Sequence, residues 1–298
     1  MVRLIRFLSA FPATHPGVFG IKLYLVHSVT TQSVIARTIT DERTHDSTLF
    51  KTGSWLRGRL FLLDFGFFKF RRFVLIDEND GFFVSRLKRS TNPLIVRELR
   101  EWRGRAIPLE GKWVFDVVGD LCREYIDVEV EVRFQRREYN ERRSLDSKRF
   151  RVVGVRIADA DEGYRLYLTN LPSGEFSPEQ VATLCRARWV IELLFRELKS
   201  RYGLGRFRTE KEHIVRIQVT AALLTLVVSR AIHRLFVDHA YEQGDDCVFP
   251  TEHWATTFRS YAQRVLLRNR RFVQLRTEFS GYVVSGGQTA ISLTPDAA

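Results

Sequence analysis

SPEQVATLCRARWVIELLFRELKSRYGLGR, residues Ser177 to Arg206, is the segment from which the rest of the chain is read. Ser177 followed by Pro178 is an N-cap with proline at the first helical position, and Glu179 and Gln180 occupy the first turn. Gly203 and Gly205 stop the helix. Between these signals Leu184, Ala187, Ile191, Leu194 and Leu198 recur at three-to-four spacing, the pattern of a core-facing stripe. On the opposite face Cys185, Arg188, Glu192, Arg196 and Lys199 fall within a narrow arc around Glu192. One reading is a solvated face laced by the pairs Arg188–Glu192 and Glu192–Arg196. The other is a metal-binding carboxylate set among cations that grip phosphates.

The whole chain sets the frame. Its 298 residues can bury a large core, as one compact domain with an insertion or as two domains. A net charge of +12 points to a polyanionic partner, nucleic acid before membrane. Cys122, Cys185 and Cys247 lack the spacing of a zinc site or a disulfide framework, which fits a reduced, intracellular setting. The most apolar run, Ile214 to Phe236, is interrupted by Arg216, Gln218, Arg230, His233 and Arg234, so no membrane span is expected. The opening MVRLIRFLSAFPA is basic then apolar, but its apolar part is too short and too broken for a signal peptide.

Taken in order, Ile21–Val29 and Gln32–Thr40 are β-branched and alternating, with Thr30–Thr31 between them, which predicts a hairpin. DERTHDSTLFKTGSWL predicts a short helix capped by Asp46. The apolar run Arg59–Asp64 suits a central strand buried on both faces and ending in Asp64. A helix over FFKFRRFVLIDEND and a strand over GFFVSRL come next. Asn92–Arg103 reads as helical. In YIDVEVEVRFQRREY, Val128, Val130, Val132 and Phe134 alternate with Asp127, Glu129, Glu131 and Arg133, a strand buried on one side. Arg149–Ile157 and Tyr164–Thr169 are further strands around a turn at Asp159–Gly163. Arg133, Arg136, Arg137, Arg142, Arg143, Lys148, Arg149 and Arg151 cluster about a loop, either as a solvated hairpin tip or as a backbone-gripping surface. Lys211–Phe236 predicts a long helix packing back on the core, and its neighbours His213, His233 and His239 fit no zinc spacing. Glu252–Arg271, ending in RVLLRNRR, predicts a last helix before a small, polar tail from Gly281.

RxRWxIELLFRELKS resembles the signature helix of insertion-sequence DDE transposases, the group with a Tyr–Arg–Glu–Lys motif. The spacing of that motif falls here on Cys185, Arg188, Glu192 and Lys199, with cysteine at the tyrosine position. LLDFGFFKFRRFVLIDENDGFFVSRLK is similar to the family's second-aspartate region, with Asp64 as the second carboxylate. The resemblance implies an α/β, ribonuclease H-like fold: a mixed sheet flanked by helices, with a β-rich insertion between the second Asp and the Glu helix. On that pattern residues 1–88 and 171–240 are the two parts of the core, 89–170 the insertion, and 241–298 a C-terminal helical region and tail. It implies that Asp64 and Glu192 are catalytic and hold Mg²⁺ (or Mn²⁺), and that Arg188, Arg196 and Lys199 hold DNA phosphates. It also implies cut-and-paste transposition on double-stranded DNA, at transposon ends and target. A homodimer on DNA and a cytoplasmic, nucleoid-associated location go with that activity.

One departure matters. The family's first aspartate ends the first strand in a motif like Asp-Ser-Thr, yet no Asp or Glu precedes Asp41 in this chain. Asp46, in His-Asp-Ser-Thr, comes after the hairpin and too soon before Asp64 to leave room for two strands, so it reads as a helix N-cap. Val2-Arg3-Leu4 resembles the residues that succeed the Asp-Ser-Thr in the family, and the expectation is a chain that starts just after it and has lost one metal ligand. Two other functions stay open: a non-catalytic DNA-binding remnant, and a ribonuclease H-like nuclease acting on other substrates.

Overall fold

A computed structural model describes residues 2–3, 11, 20–102, 105–106, 108–139, 142–158, 160, 163–205, 207, 209, 211–243, 254–258 and 260. The strands in the first part of the chain are β1 (Val2–Arg3), β2 (Gly20–His27), β3 (Val34–Asp41), β4 (Leu60–Leu63) and β5 (Phe82–Arg86), with helices α1 (Asp46–Leu49) and α2 (Phe70–Glu78). Then come β6 (Leu94–Glu98), β7 (Glu101–Trp102), β8 (Arg105–Ala106), α3 (Val114–Val117), β9 (Tyr125–Tyr139), β10 (Arg142–Arg156) and β11 (Tyr164–Thr169). Helices α4 (Pro178–Ala187), α5 (Trp189–Ser200) and α6 (Glu212–Glu242) complete the order. The chain folds as two units, Thr44–Leu193 and the pair of segments Met1–Arg43 and Leu194–Ala298.

The unit Thr44–Leu193 is built on a mixed sheet in the order β4-β5-β11-β10-β9-β6, with β4 and β5 parallel and the other pairs antiparallel. Helices cover both faces. Successive strand residues point to opposite sides, and Phe83 stacks on Phe73 of α2 at 4.5 Å between ring centroids. Phe150 meets Phe83 edge-on at 5.1 Å on the same side. Val84, Val153 and Tyr167 face the other way and pack beneath Val181, Ala182 and Cys185 of α4. The alternation expected along β9 is observed, with Val128, Val130 and Val132 at 1% exposure or less.

Three expectations are corrected here. The segment expected to be helical from Asn92 instead forms β6, β7 and β8, because Leu94–Glu98 finds backbone partners on β9. Among the described residues, the strand ending before Asp64 lies at the edge of the sheet rather than its centre, although Leu60 and Leu62 pack under the α4 cluster and Phe61 and Leu63 are buried. Asp127, expected on a solvated face of β9, is buried beneath a bidentate pair with Arg151, both contacts at 2.7 Å. Arg151 also donates to the Leu171 carbonyl at 3.3 Å.

The other unit contains the antiparallel sheet β1-β2-β3 and helix α6. The predicted hairpin closes with the Ser28 N–H on the Ser33 carbonyl at 2.8 Å and Gln32 at φ 48°. Arg230 of α6 pairs with Glu197 and donates to Gln32 at 2.7 Å, while Arg37 donates to Thr220 at 3.0 Å. Trp254 is fully buried and donates its indole N–H to the Ser229 carbonyl at 3.0 Å. Contrary to the expectation for this run, α6 is long and apolar enough to cross a membrane by length and composition. A third of its most apolar window is buried, and Arg230 and Ser229 on it hold Glu197 and the Trp254 indole. Of the expected helix Glu252–Arg271, residues 254–258 are helical, and the segment 261–298 with RVLLRNRR and the tail lies outside the described residues.

Candidate carboxylate site

Strand β4 ends at Leu63, and Asp64 caps the short 3₁₀ turn Phe65–Phe67, its Oδ1 accepting the Phe65 N–H at 2.8 Å. The capping role and the strand-end position are thus held by one residue. The turn is clamped from behind by Arg72, a buried arginine that donates to the Phe67 carbonyl and lies against the rings of Phe50 and Phe67. The Asp64 side chain as a whole is 58% exposed.

The second carboxylate comes from the signature segment. Ser177 accepts the Gln180 N–H at 3.3 Å, and the Gln180 side chain accepts the Ser177 N–H at 2.8 Å, a capping box behind the expected Pro178. The predicted single helix is interrupted at Arg188. Its N–H bonds to the Cys185 carbonyl and the Ile191 N–H to the Arg188 carbonyl, so the turn tightens to three-residue bonding between α4 and α5. Trp189, Val190 and Ile191, a run of weaker helix formers, come directly after the break. At the other end Gly203 adopts φ 77° and the Leu204 N–H returns to the Leu198 carbonyl, as the glycine stop requires.

At the break the pieces of the site meet. Arg188 Nη1 donates to Glu192 Oε1 at 2.8 Å and stands 3.7 Å from Asp64 Oδ2. One guanidinium nitrogen therefore holds both carboxylates, and their oxygens are separated by no more than the sum of those distances. The Glu192 side chain is 39% exposed and that of Arg188 20%. The structure brings together Asp64, Arg188 and Glu192, and Arg196 and Lys199 share only the helix with them, both exposed.

Cys185, predicted on the arginine–glutamate face, is within electrostatic reach of Arg188 and Asp64 but is not exposed. It is buried, packed with Val84 and Tyr167, and burial pushes its thiol pKa up against the opposing charges of Arg188 and Arg86.

The described side chains of the basic cluster on the β9–β10 hairpin are paired with carboxylates of the hairpin itself and of α2. Arg133 pairs with Glu131 at 3.3 Å, Arg149 with Glu129 at 3.6 Å, Arg136 with Asp146 at 2.9 Å and with Glu78, and Lys148 with Asp77. The side chains of Arg137, Arg142 and Arg143 lie outside the described residues.

Among the described residues no group of three or more His, Cys, Asp or Glu side chains is placed to hold a metal ion. Two partly exposed carboxylates, Asp64 and Glu192, do fit a Mg²⁺ that keeps several waters and takes substrate phosphate as a further ligand. Asp46 lies beside the Asp64 turn, where a Cβ added to Gly66 would stand 3.1 Å from Asp46 Oδ2.

The transposase DDE domain family matches residues 10–228. Among curated proteins the chain is 40% identical over 81 residues to the transposase for insertion sequence element IS421 of Escherichia coli, 27% of this chain and 22% of that protein. The same figures hold for InsL of insertion sequence element IS186A from Escherichia coli K12. It is 26% identical over 232 residues to the transposase y4zB of Sinorhizobium fredii NGR234, 76% of this chain and 58% of that protein. The chain thus spans between about a fifth and three-fifths of the length of these relatives. With a family match over most of its length, the chain belongs to the insertion-sequence transposases with a DDE domain.

Proposed function

We propose that this chain carries part of the catalytic core of a DNA transposase, a ribonuclease H-like domain that cleaves phosphodiesters at insertion-sequence ends and joins them to a target. The observation that carries the reading is the convergence of Asp64, from a strand end, and Glu192, from a helix, on the single guanidinium of Arg188. Transposase DDE domains generally use divalent metal ions. Asp64 and Glu192 are the residues that would hold Mg²⁺ or Mn²⁺, which when bound activates the attacking oxygen and stabilises the leaving one. Arg188 keeps the two carboxylates from repelling one another while the site is empty of substrate, and can turn to a DNA phosphate when cations take its place. Arg196 and Lys199, on the next turns of α5, are candidates for further phosphate contacts that set register. The partners would be double-stranded DNA at transposon ends and target, met by a homodimer in the nucleoid.

The second reading, a DNA-binding remnant without chemistry, is favoured by the absence of a third carboxylate from the site among the described residues. A plasmid-nicking assay in Mn²⁺ separates the two. Nicking by the protein, lost in Asp64→Ala with duplex binding retained, supports the enzyme. Equal nicking by Asp64→Ala contradicts the assignment of Asp64, and binding without any nicking favours the remnant.

A further inference from the structure

Of the basic residues that resemble a DNA grip in the sequence, Arg133, Arg136, Lys148, Arg149 and Arg151 are tied up by carboxylates, whereas Arg86, Arg165 and Arg186 are among the described arginines that are not. Arg86, Arg165 and Arg186 are exposed, and among the described residues none of them has a carboxylate within ion-pair distance. Arg86 instead lies over the exposed ring of Phe65, 5.2 Å from its centroid, and Arg186 donates to Thr183 at 3.2 Å.

The sheet register places them together. Arg86 stands directly opposite Tyr167 across β5 and β11. Arg165 is two residues before Tyr167 on the same face, so Arg86 and Arg165 are diagonal neighbours about 7–8 Å apart at the backbone. Tyr167 packs beneath Cys185, and Arg186 is the next residue of α4. Burial, with Cys185 adding to it, raises the Tyr167 phenol pKa, and the charges of Arg165, Arg86 and Arg186 all oppose the shift. The group is continuous with the carboxylates. Leu63 pairs with Ser85 in the parallel register, which sets Arg86 beside Asp64 at the end of the sheet.

We propose that Arg86, Arg165 and Arg186 form a phosphate-gripping track on the α4 face of the sheet that carries the backbone of duplex DNA to and from the Asp64–Glu192 edge. This rests on the transposase reading above. Three unneutralised guanidiniums in a row suit a polyanion, because each can take a phosphate without first giving up a carboxylate. Arg133, Arg136 and Arg149 of the hairpin would each have to break an ion pair to make the same contact.

The test is the salt dependence of binding to a short duplex of arbitrary sequence. Arg86→Gln/Arg165→Gln/Arg186→Gln is compared with the wild type and with a control in which both partners of two hairpin pairs are replaced, Arg133→Gln/Glu131→Gln/Arg149→Gln/Glu129→Gln. The slope of log K against log[salt] should become shallower by about 2 to 3 in the first variant, at roughly 0.9 per phosphate lost, and by less than about 0.5 in the control. The three single variants, each shallower by about 1, keep the result independent of any folding defect in the triple variant. An unchanged slope in the triple variant, with the wild type binding DNA, overturns the track and leaves the transposase reading intact. A wild type that does not bind duplex DNA overturns both.

Discussion

Arg188 donates to Glu192 at 2.8 Å with the same nitrogen that stands 3.7 Å from Asp64. Two residues one turn apart on a helix segment would ordinarily make a surface pair worth little. The strand-end aspartate turns that pair into a three-part site, held by a guanidinium that a divalent cation would have to displace. Replacing Arg188 by Gln should therefore strengthen Mn²⁺ binding to the free protein by roughly five-fold, the equivalent of about 1 kcal/mol for a partly exposed ion pair. Titration of free Mn²⁺ by electron paramagnetic resonance measures it, and weaker binding in the variant would show that Arg188 supports the metal site instead of competing with it.

The buried pair Asp127–Arg151 predicts a large, local stability effect. Asp127→Asn or Arg151→Met alone leaves one uncompensated polar group under α4 and should cost about 3–5 kcal/mol. Changing both to apolar residues of similar volume should recover most of that loss. Urea denaturation of the three variants decides it, and additive losses would mean that the two side chains are not coupled.

Glu98 gives a pH dependence. Its side chain is fully buried beside Arg123 at 3.2 Å, and burial pushes its pKa up to about 7 despite the Arg123 charge, with Asp127 adding to the rise and Arg100 opposing it. A carboxyl whose folded value is raised binds its proton more tightly in the native state, so stability is greatest below the unfolded value and falls as pH rises to about 7. The slope should reach up to about 1.4 kcal/mol per pH unit within that window. Glu98→Gln should remove this contribution, as read from denaturation midpoints across the same range. A slope retained in the variant would assign it to another group.

Cysteine reactivity tests the depth of the site. Cys122 is exposed and Cys185 is buried with its thiol pKa raised. In a Cys247→Ser background, a thiol-specific reagent at mildly alkaline pH should modify one thiol quickly, and the second only on unfolding. Two fast thiols would place Cys185 at the surface.

Local chemistry is readable from the chain, and long-range pairing is not. The capping box at Ser177, the strand ending at Asp64 and the alternation of Val128, Val130 and Val132 depend on neighbours in sequence, and each appears in the structure. Leu94–Glu98 reads as helix in isolation because a short apolar segment carries no signal for its partner strand, which lies about thirty residues further on. The burial of Cys185 under Val84 and Tyr167 depends on strands far away in sequence, and the helix break at Arg188 is visible only in the hydrogen bonds of Arg188 and Ile191. The hairpin arginines look free in the sequence because their partners, such as Glu129 opposite Arg151 and close to Arg149, are set by the β9–β10 register. Arg86 gives no local signal for the same reason: its place beside Asp64 depends on the parallel pairing of β4 with β5.

The proposed role of Asp64 and Glu192 as joint holders of one divalent cation is open to direct measurement. Calorimetric titration of Mn²⁺ into the wild type, Asp64→Asn and Glu192→Gln tests it without requiring DNA or turnover. A single class of sites in the wild type, lost or weakened at least ten-fold in each variant while the proteins stay folded, is the predicted result. Binding of equal strength in all three proteins would contradict it.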